Sequence, residues 1–519
     1  MPIATTQYQR KLWWLILISL GIKIAVSYFL ELGNDEVYYY TYALQPDWSH
    51  FDHPPMVGWM IRCTTLNLHW LSDLSMRLGS MLSAVLASVF IFKTGIVLKN
   101  ERAGYLAALL YQLSIYTSVI AGLFVLPDSP QLLFFCASIY IMMKWVMKPV
   151  EFTLLDWIVL GLCIGMATLS KVHGLYLWAG FGAFILFHQP KTFKQPSLYL
   201  SGLITIVCLI PIVYWNIQND FITYRYHSER VTHTGLHVET ILQQILGEWV
   251  YQNPLVYISC LIPLIRFKKL KAIFFKQESL SLLLWLSLPL IFTFWMIALF
   301  NPTLPHWTGP GFIALFLIAG VYWDAQMQTA IPLLFKWAMG FLAAVIIGFI
   351  SLVYIFPAQL GSKAPENLGE YNPINDVTGW GYFKGEFEHL VNNDIVSHKM
   401  PSNAPILTNK WFPGGHILFY IAQPLHKSLI AVGNLEEVHK FAWLNSEMDP
   451  LYIGQSAYCI VPSNLPANPQ ELYGPYFERI ELATIVPIQT KNVLLRNFRV
   501  YRLIHCKKLP AALFNSTKK

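Results

Sequence analysis

Residues 332–356, PLLFKWAMGFLAAVIIGFISLVYIF, carry a single charged side chain, Lys336. The next stretch, PAQLGSKAPENLGE at 357–370, carries three: Lys363, Glu366 and Glu370. A helix needs about 20 mostly apolar residues to cross a bilayer. The first stretch meets that requirement and the second does not, so the chain changes solvent near Pro357. This reading divides it into a membrane region, 1–356, and a tail, 357–519, long enough for one soluble domain.

Working back from that boundary, similar runs recur at roughly 306–323, 279–300, 246–265, 197–215, 174–188, 153–170, 129–147, 103–125 and 76–98, and from Leu12 to Leu30. The Leu12–Leu30 run follows Arg10 and Lys11, as a signal peptide would. However, no small-residue cleavage site follows it and Lys23 interrupts it, so it reads as a retained helix. About eleven to thirteen spans result, some of the short runs reading as paired or re-entrant segments. Of the 519 residues, 55% are hydrophobic and only 13% are charged. These proportions exclude a disordered chain and a single soluble domain. The expected fold class is a mainly α-helical polytopic membrane protein with a C-terminal soluble α/β domain.

The net charge of +7 reports orientation, not nucleic acid. Arg10, Lys11, Lys93, Lys99, Arg102, Lys144, Lys148, Lys191, Lys194 and the run Arg266 to Lys276 all fall in loops of one sidedness. The other side holds few cations, mainly Arg62, Lys171, Arg225 and Arg230. Excess Lys and Arg mark the cytoplasmic side. The N-terminus is therefore expected inside and the tail outside. In the tail, Pro405–Thr408, Ser428–Val432 and Tyr458–Pro462 read as buried strands. Tyr382–Asn392, Gly415–Ala422 and Glu436–Leu444 have helical periodicity, and Glu481–Pro487 with Val493–Leu503 reads as a hairpin. The seven cysteines form no CxxC. Cys459 and Cys506 allow a disulfide or two thiols equally. Asn515-Ser516-Thr517 matches a glycosylation acceptor by chance composition at a terminus.

The candidate chemistry lies in the first outer loop, Glu31 to Ser75. It reads Gly33-Asn34-Asp35-Glu36-Val37-Tyr38-Tyr39-Tyr40, then Phe51-Asp52-His53-Pro54-Pro55. A carboxylate just past an apolar run is partly desolvated, which raises its pKa toward that of a usable base. The alternative is that Asp35 and Glu36 only cap the following helix. The Tyr38–Tyr40 row reads as packing or as a sugar platform. Asp128, in Leu126-Pro127-Asp128-Ser129-Pro130, falls on the same outer face, with a helix N-cap as its bland reading. Lys171, His173, Asn216, Arg225 and His306 share that face. Ionisable groups at membrane depth are costly and mark function. Carboxylates beside cations at headgroup height suit a lipid-linked phosphate and an activated nucleophile.

The Asp35-Glu36 pair, Asp52-His53-Pro54-Pro55 about 18 residues on, Asp128, and the Gly161-to-Gly174 stretch with Ser170-Lys171 give a resemblance. In that order they resemble the GT-C glycosyltransferases of the protein O-mannosyltransferase and lipid A aminoarabinose transferase superfamily, over residues 1 to about 325. The outer tail fits the same plan. The resemblance implies an enzyme of the bacterial inner membrane with a periplasmic C-terminal domain. It implies transfer of a sugar from a polyprenyl-phosphate donor to a glycolipid or envelope glycan acceptor, among membrane lipids and without nucleic acid. It makes Asp35 the expected catalytic carboxylate, Glu36 its support and Asp128 the second carboxylate. His53, Lys171, Arg225 and His306 are the candidates for donor-phosphate binding, because charge grows on the leaving phosphate.

Two departures are visible. The aminoarabinose enzymes have an acidic residue and a Lys before Pro-Pro, where this chain has Asp52 and His53. They have an Arg two residues after the Asp-Glu pair, where this chain has Tyr38. Aminoarabinose is therefore not carried over as the substrate. No cofactor is required by the sequence; a divalent ion on Asp52 with His53 or His306 stays open, with too few ligands to define a site. The rival functions are a protein O-mannosyltransferase-like enzyme and a transporter of lipid-linked sugar. The absence of a visible repeat, and ionisable groups at one surface instead of the midplane, weigh against transport.

Overall fold

The computed structural model describes residues 6–229, 235–327 and 329–510. Arg230 and the Asn515-Ser516-Thr517 triplet lie outside them. In chain order the helices are α1 (Gln7–Phe29), α2 (Asn34–Leu44), α3 (Met56–Thr64), α4 (Asp73–Leu98), α5 (Glu101–Leu113), α6 (Asp128–Met147), α7 (Leu154–Ser170), α8 (Tyr176–His188), α9 (Pro196–Gln218) and α10 (Ile222–Glu229). They continue with α11 (Val238–Tyr251), α12 (Pro254–Ile265), α13 (Phe267–Ile273), α14 (Gln277–Ala298), α15 (Phe312–Gln326), α16 (Leu333–Tyr354) and α17 (Trp380–Val396).

Among the described residues, α1, α4, α6, α9, α14 and α16 are long and apolar enough to cross a membrane. Four more apolar helices are shorter: Leu154–Ser170, Val172–His188, Pro254–Ile265 and Gly311–Gln326. The protein is a multi-pass membrane protein. Two expected spans are broken. The run 103–125 stops being α-helix at Ser114 and continues as a π-helical turn, Tyr116–Ile120. The run 246–265 is cut where Asn253 adopts a left-handed φ of 65° before Pro254. The Asn253 side chain accepts from Leu255 N and donates to the carbonyls of Leu113 and Ala338, at 3.0 and 3.1 Å. Those bonds satisfy polar groups that the break exposes at membrane depth.

The chain forms two compact units. One comprises Met1–Ser27 with Asp47–Val345, the other Tyr28–Pro46 with Ile346–Lys519. Sequence reading kept the loop 31–75 whole within a 1–356 domain. The structure instead divides that loop, and helix α2 packs in the unit that holds the C-terminal tail.

The first unit is helix packed on helix. Its core runs through Ala107, Leu110, Phe135, Ile139, Leu160, Phe181, Leu283 and Phe316, all buried. Glycine allows the tightest approach: a Cβ on Gly104 of α5 would lie 2.3 Å from the Phe92 carbonyl oxygen of α4. Small residues serve this purpose between membrane helices, where close packing replaces the hydrophobic driving force. The outer sides of α9 (Leu203, Ile206, Ile210, Val213) and of the first part of α16 (Leu333, Trp337) stay exposed and apolar, as lipid-facing surfaces must be. The basic residues Lys99 and Arg102 are held in an ion-pair cluster. Arg102 Nη1 donates to Asp324 Oδ1 at 2.8 Å, and Nη2 to the Ala330 carbonyl at 2.8 Å. Lys99 Nζ sits 3.0 Å from Asp324 Oδ2.

The second unit carries a five-stranded sheet of order β2-β1-β3-β5-β4. Its strands are β1 (Ile406–Thr408), β2 (Leu429–Ala431), β3 (Ala457–Pro462), β4 (Phe477–Thr490) and β5 (Val493–Cys506). β1 runs parallel to β2 and β3, while β5 runs antiparallel to β3 and β4. The expected strands, the hairpin and the helical segments at 382–392 and 415–422 are present; the segment 436–444 is broken at His439, whose φ of 51° separates Leu435–Val438 from Phe441–Leu444. Cys459 and Cys506 are buried free thiols, which resolves the open pairing.

Breaking a buried ion pair strands the partner charge and costs about 3–5 kcal/mol. Asp324→Ala is therefore expected to lose roughly 3 kcal/mol of stability, seen as a melting temperature lowered by several degrees in detergent. An unchanged melt would show that Arg102 is satisfied by carbonyls alone.

Candidate active site

The Asp-Glu pair sits in the second unit, and its two acids have separate fates. Glu36 is buried, and its Oε2 accepts from Gly33 N at 2.9 Å, closing the first turn of α2. Asp35, its neighbour, is exposed. The capping reading therefore holds for Glu36 and leaves Asp35 at the surface of the turn.

What precedes α2 is clamped by the C-terminal tail. Glu31 accepts from Trp380 N and Gly381 N, both at 2.9 Å, at the start of α17. Leu32 N donates to Tyr420 OH at 2.7 Å, and His416 Nε2 reaches the Leu32 carbonyl at 2.9 Å. Asn34 N donates to Asp376 Oδ1 at 3.1 Å. Tyr38, Tyr39 and Tyr40 are buried; Tyr38 packs on Trp411 and Tyr40 on Phe419. The tyrosine row is thus core. Gly415 makes this contact possible, since a Cβ there would lie 2.9 Å from Val37 Cγ2.

Asp376 is a carboxylate that the sequence did not single out, because it stands far along the chain in a polar segment without a motif. Burial and the charge of Asp35 push its pKa up to about 7; Glu36 adds to this, and Asn34 N–H and Arg496 oppose it.

The first unit holds a second polar cluster. Asp128, at the first turn of α6, is buried and receives Lys171 Nζ at 2.8 and 3.1 Å. Tyr116 OH donates to its Oδ1 at 2.8 Å. Lys171, also buried, stands just past the C-terminus of α7. His306 lies stacked near both Tyr116 and Tyr251, with ring centroids 6.4 and 6.2 Å away. His53 feels the charges of Asp52, Lys171, His227 and Asp128. Its Nε2 lies 3.9 Å from Asp52 Oδ2. Burial lowers the His53 pKa to about 4; Asp52 opposes the shift and Lys171 adds to it. His53 is therefore neutral near pH 7, a hydrogen-bonding group and not a cation.

The loop 47–53 is held by α9 and α10. Trp215 Nε1 donates to Asp47 Oδ2 at 2.7 Å, Thr223 Oγ1 donates to the His50 carbonyl, and His227 Nε2 lies 2.8 Å from the Asp52 carbonyl. Of the four groups expected to bind phosphate, His53, Lys171 and His306 are brought together, whereas Arg225 is exposed on α10. Tyr116 and His227 are the members of this unit's cluster that sequence reading missed. No spacing rule links a tyrosine twelve residues upstream to a carboxylate across a π turn. Among the described residues no group of three or more His, Cys, Asp or Glu is arranged to hold a metal. Asp52 and His53 alone do not make one.

Several known proteins resemble this chain. Residues 52–215 match the family model described as dolichyl-phosphate-mannose-protein mannosyltransferase. The lipid A galacturonosyltransferase RgtD of Rhizobium johnstonii is 22% identical over 362 residues, covering 67% of this chain and 70% of that protein. The crystal structure of ArnT from Cupriavidus metallidurans bound to undecaprenyl phosphate aligns at a TM-score of 0.62 and 14% identity, over 95% of this chain and 97% of that one. The apo form of ArnT aligns over the same shares at 0.58.

An acid whose pKa rises on folding binds more protons in the folded state. Asp376 therefore contributes stability that is full below its ordinary 3.8 and is lost as pH rises toward 7. Asp376→Asn keeps an oxygen for Asn34 N and removes the titration. The variant's melting temperature, relative to the parent, is expected to be higher at pH 8 than at pH 5; an equal offset at both would contradict the raised pKa.

Helical membrane unit, α/β tail and matched relatives agree on one assignment: the chain shares the fold of the GT-C enzymes it resembles and is a membrane glycosyltransferase.

Proposed function

We propose that this enzyme transfers a sugar from a polyprenyl-phosphate carrier to a glycolipid of the envelope, on the outer face of a bacterial inner membrane. In this reading the N-terminus is cytoplasmic and the C-terminal unit periplasmic. The observation that carries it is the division of labour at the first turn of α2. Glu36 is spent on the cap, which leaves Asp35 exposed to act on a substrate. Likeness to a lipid A galacturonosyltransferase supports a lipid acceptor, and likeness to an undecaprenyl-phosphate-bound transferase supports the donor class.

Asp35 is the proposed catalytic carboxylate. It takes the proton of an acceptor hydroxyl as that oxygen attacks the anomeric carbon. The bond from that carbon to the carrier's phosphate oxygen breaks, and its electron pair leaves on the phosphate. A phosphate acceptor needs no deprotonation, and there Asp35 would orient it. Lys171 spends two of its three N–H donors on Asp128. The third, with His53 and His306, is proposed for the carrier phosphate. Asp128 fixes Lys171 in place, and burial strengthens each of these contacts relative to water.

The family model over residues 52–215 favours a second reading, transfer to protein hydroxyls. Mass spectrometry of glycolipids and glycoproteins from a deletion strain separates the two. A loss confined to proteins would reverse the preferred acceptor.

A positioned general base contributes about 10²–10⁴-fold. Asp35→Asn is expected to lower sugar transfer by a factor in that range, measured in membranes supplied with lipid-linked donor at matched expression. Full activity would remove Asp35 from the chemistry.

A further inference from the structure

His173 lies in the 3₁₀ turn Val172–Leu175, two residues past Lys171. Its ring stacks on Phe294, with centroids 4.8 Å apart and planes at 29°, and Trp307 stands 6.3 Å away. Both ring nitrogens are buried, and neither has a hydrogen-bond partner among the described residues. Lys171, Asp128, His306 and His53 all act on it electrostatically, so it belongs to their cluster. Gln131 sits one turn along α6 from Asp128 and is fully buried. Its Nε2 donates to the Lys171 carbonyl at 3.3 Å, while its Oε1 is buried and has no partner among the described residues.

Buried polar atoms without partners are costly, and such a group persists where something outside the chain completes it. A phenylalanine at 173 would keep the stack on Phe294 without that cost, so packing does not explain the imidazole. The chemistry of the orphaned atoms points to the ligand. The Gln131 oxygen can only accept, and the neutral imidazole presents one donor and one acceptor. An ionised phosphodiester offers only acceptors and would repel the amide oxygen. A hydroxyl offers both roles. Partly buried Trp307, 6.3 Å from the His173 ring, supplies an apolar face that suits the C–H side of a sugar ring.

We propose that His173, together with Gln131, reads the hydroxyl groups of the sugar carried by the donor. This rests on the donor class proposed above and adds to it a recognition site for the sugar itself, apart from the phosphate.

The test is equilibrium binding to the full-length protein in nanodiscs, without turnover. The probes are undecaprenyl phosphate and a panel of undecaprenyl-phosphate-linked glucose, mannose and galacturonic acid. The unsubstituted protein is expected to bind at least one sugar-bearing lipid more tightly than the bare carrier. His173→Phe is expected to erase about tenfold of that preference, the scale of one or two hydrogen bonds. It should keep its affinity for bare carrier and a melting temperature no lower than the parent's. His173→Gln, which retains a donor and an acceptor, should recover part of the preference. The proposal is overturned by any of three results: no sugar preference in the parent, a preference that survives in His173→Phe, or an equal loss for bare carrier. Binding needs no catalysis, so a failed role for Asp35 leaves this assay readable. If the parent binds neither the bare carrier nor any sugar-bearing lipid, the donor reading falls, and the recognition site falls with it.

Discussion

The second unit is organised around one small set of contacts, in which the backbone and acid of Glu31–Asn34 are captured by residues some 345 positions later. Glu31 fills the N–H groups at the start of α17, and Asp376 takes the N–H that opens α2. A carboxylate acceptor makes such bonds charge-assisted, the stronger class of hydrogen bond, in full for Asp376 only above its raised pKa of about 7. Each also satisfies a helix N-terminus, where donors lack partners and favour an anion. Because two helix starts are tied at once, the place of Asp35 is fixed by the C-terminal tail as much as by its own loop. Such distant closure costs loop entropy. The buried aromatic stack around Tyr38 and the close seat of Gly415 against Val37 offset that cost locally.

The first unit follows another constraint. Asp128 and Lys171 are both buried, and a lone charge there would be expensive. Pairing makes each tolerable, and Tyr116 fills a further acceptor site on the carboxylate. The same logic holds at the other end of the helices, where Asp324 gathers Arg102, Lys99 and Asn100. In a chain with so few charges, most of those drawn inside the helical unit have a matched partner. Among the described residues several other buried polar atoms of this unit also lack partners, Glu248 Oε1 and Gln252 Nε2 among them, but those of His173 and Gln131 are the ones beside Lys171 and Asp128.

Hydropathy made the membrane region legible, because lipid-facing helices must be apolar over their whole length. It misjudged the run 246–265, where Asn253 and Pro254 break the helix and carbonyls from other segments satisfy the break. A window average does not register that. The tail's strands were legible from short apolar runs between turn residues. The partition of the outer loop was not, since hydropathy sees Glu31 to Ser75 as one polar segment while packing assigns residues 28–46 and those from 47 onward to different units. Asp35, Glu36, Asp128 and Lys171 stood out because ionisable groups beside apolar runs are scarce. Asp376 sits in a tail where acids are common, and what distinguishes it, its burial and its bond to Asn34 N, appears only in the fold.

The neutrality of His53 changes how phosphate must be handled. A transferase that grips phosphate with several fixed cations would hold its lipid product tightly after the bond breaks. In the proposed donor site the carrier phosphate would meet a lysine already matched by Asp128, beside imidazoles able to donate hydrogen bonds without carrying charge. Such a site favours the transition state through the alignment of donors more than through net attraction. Interactions that strengthen only as charge develops raise turnover, whereas uniform attraction raises affinity alone. The affinity that phosphate does not supply then has to come from the prenyl chain and the sugar. In the proposed reading, that would give Trp307 and the orphaned polar atoms around His173 a defined place in the energetics of donor binding.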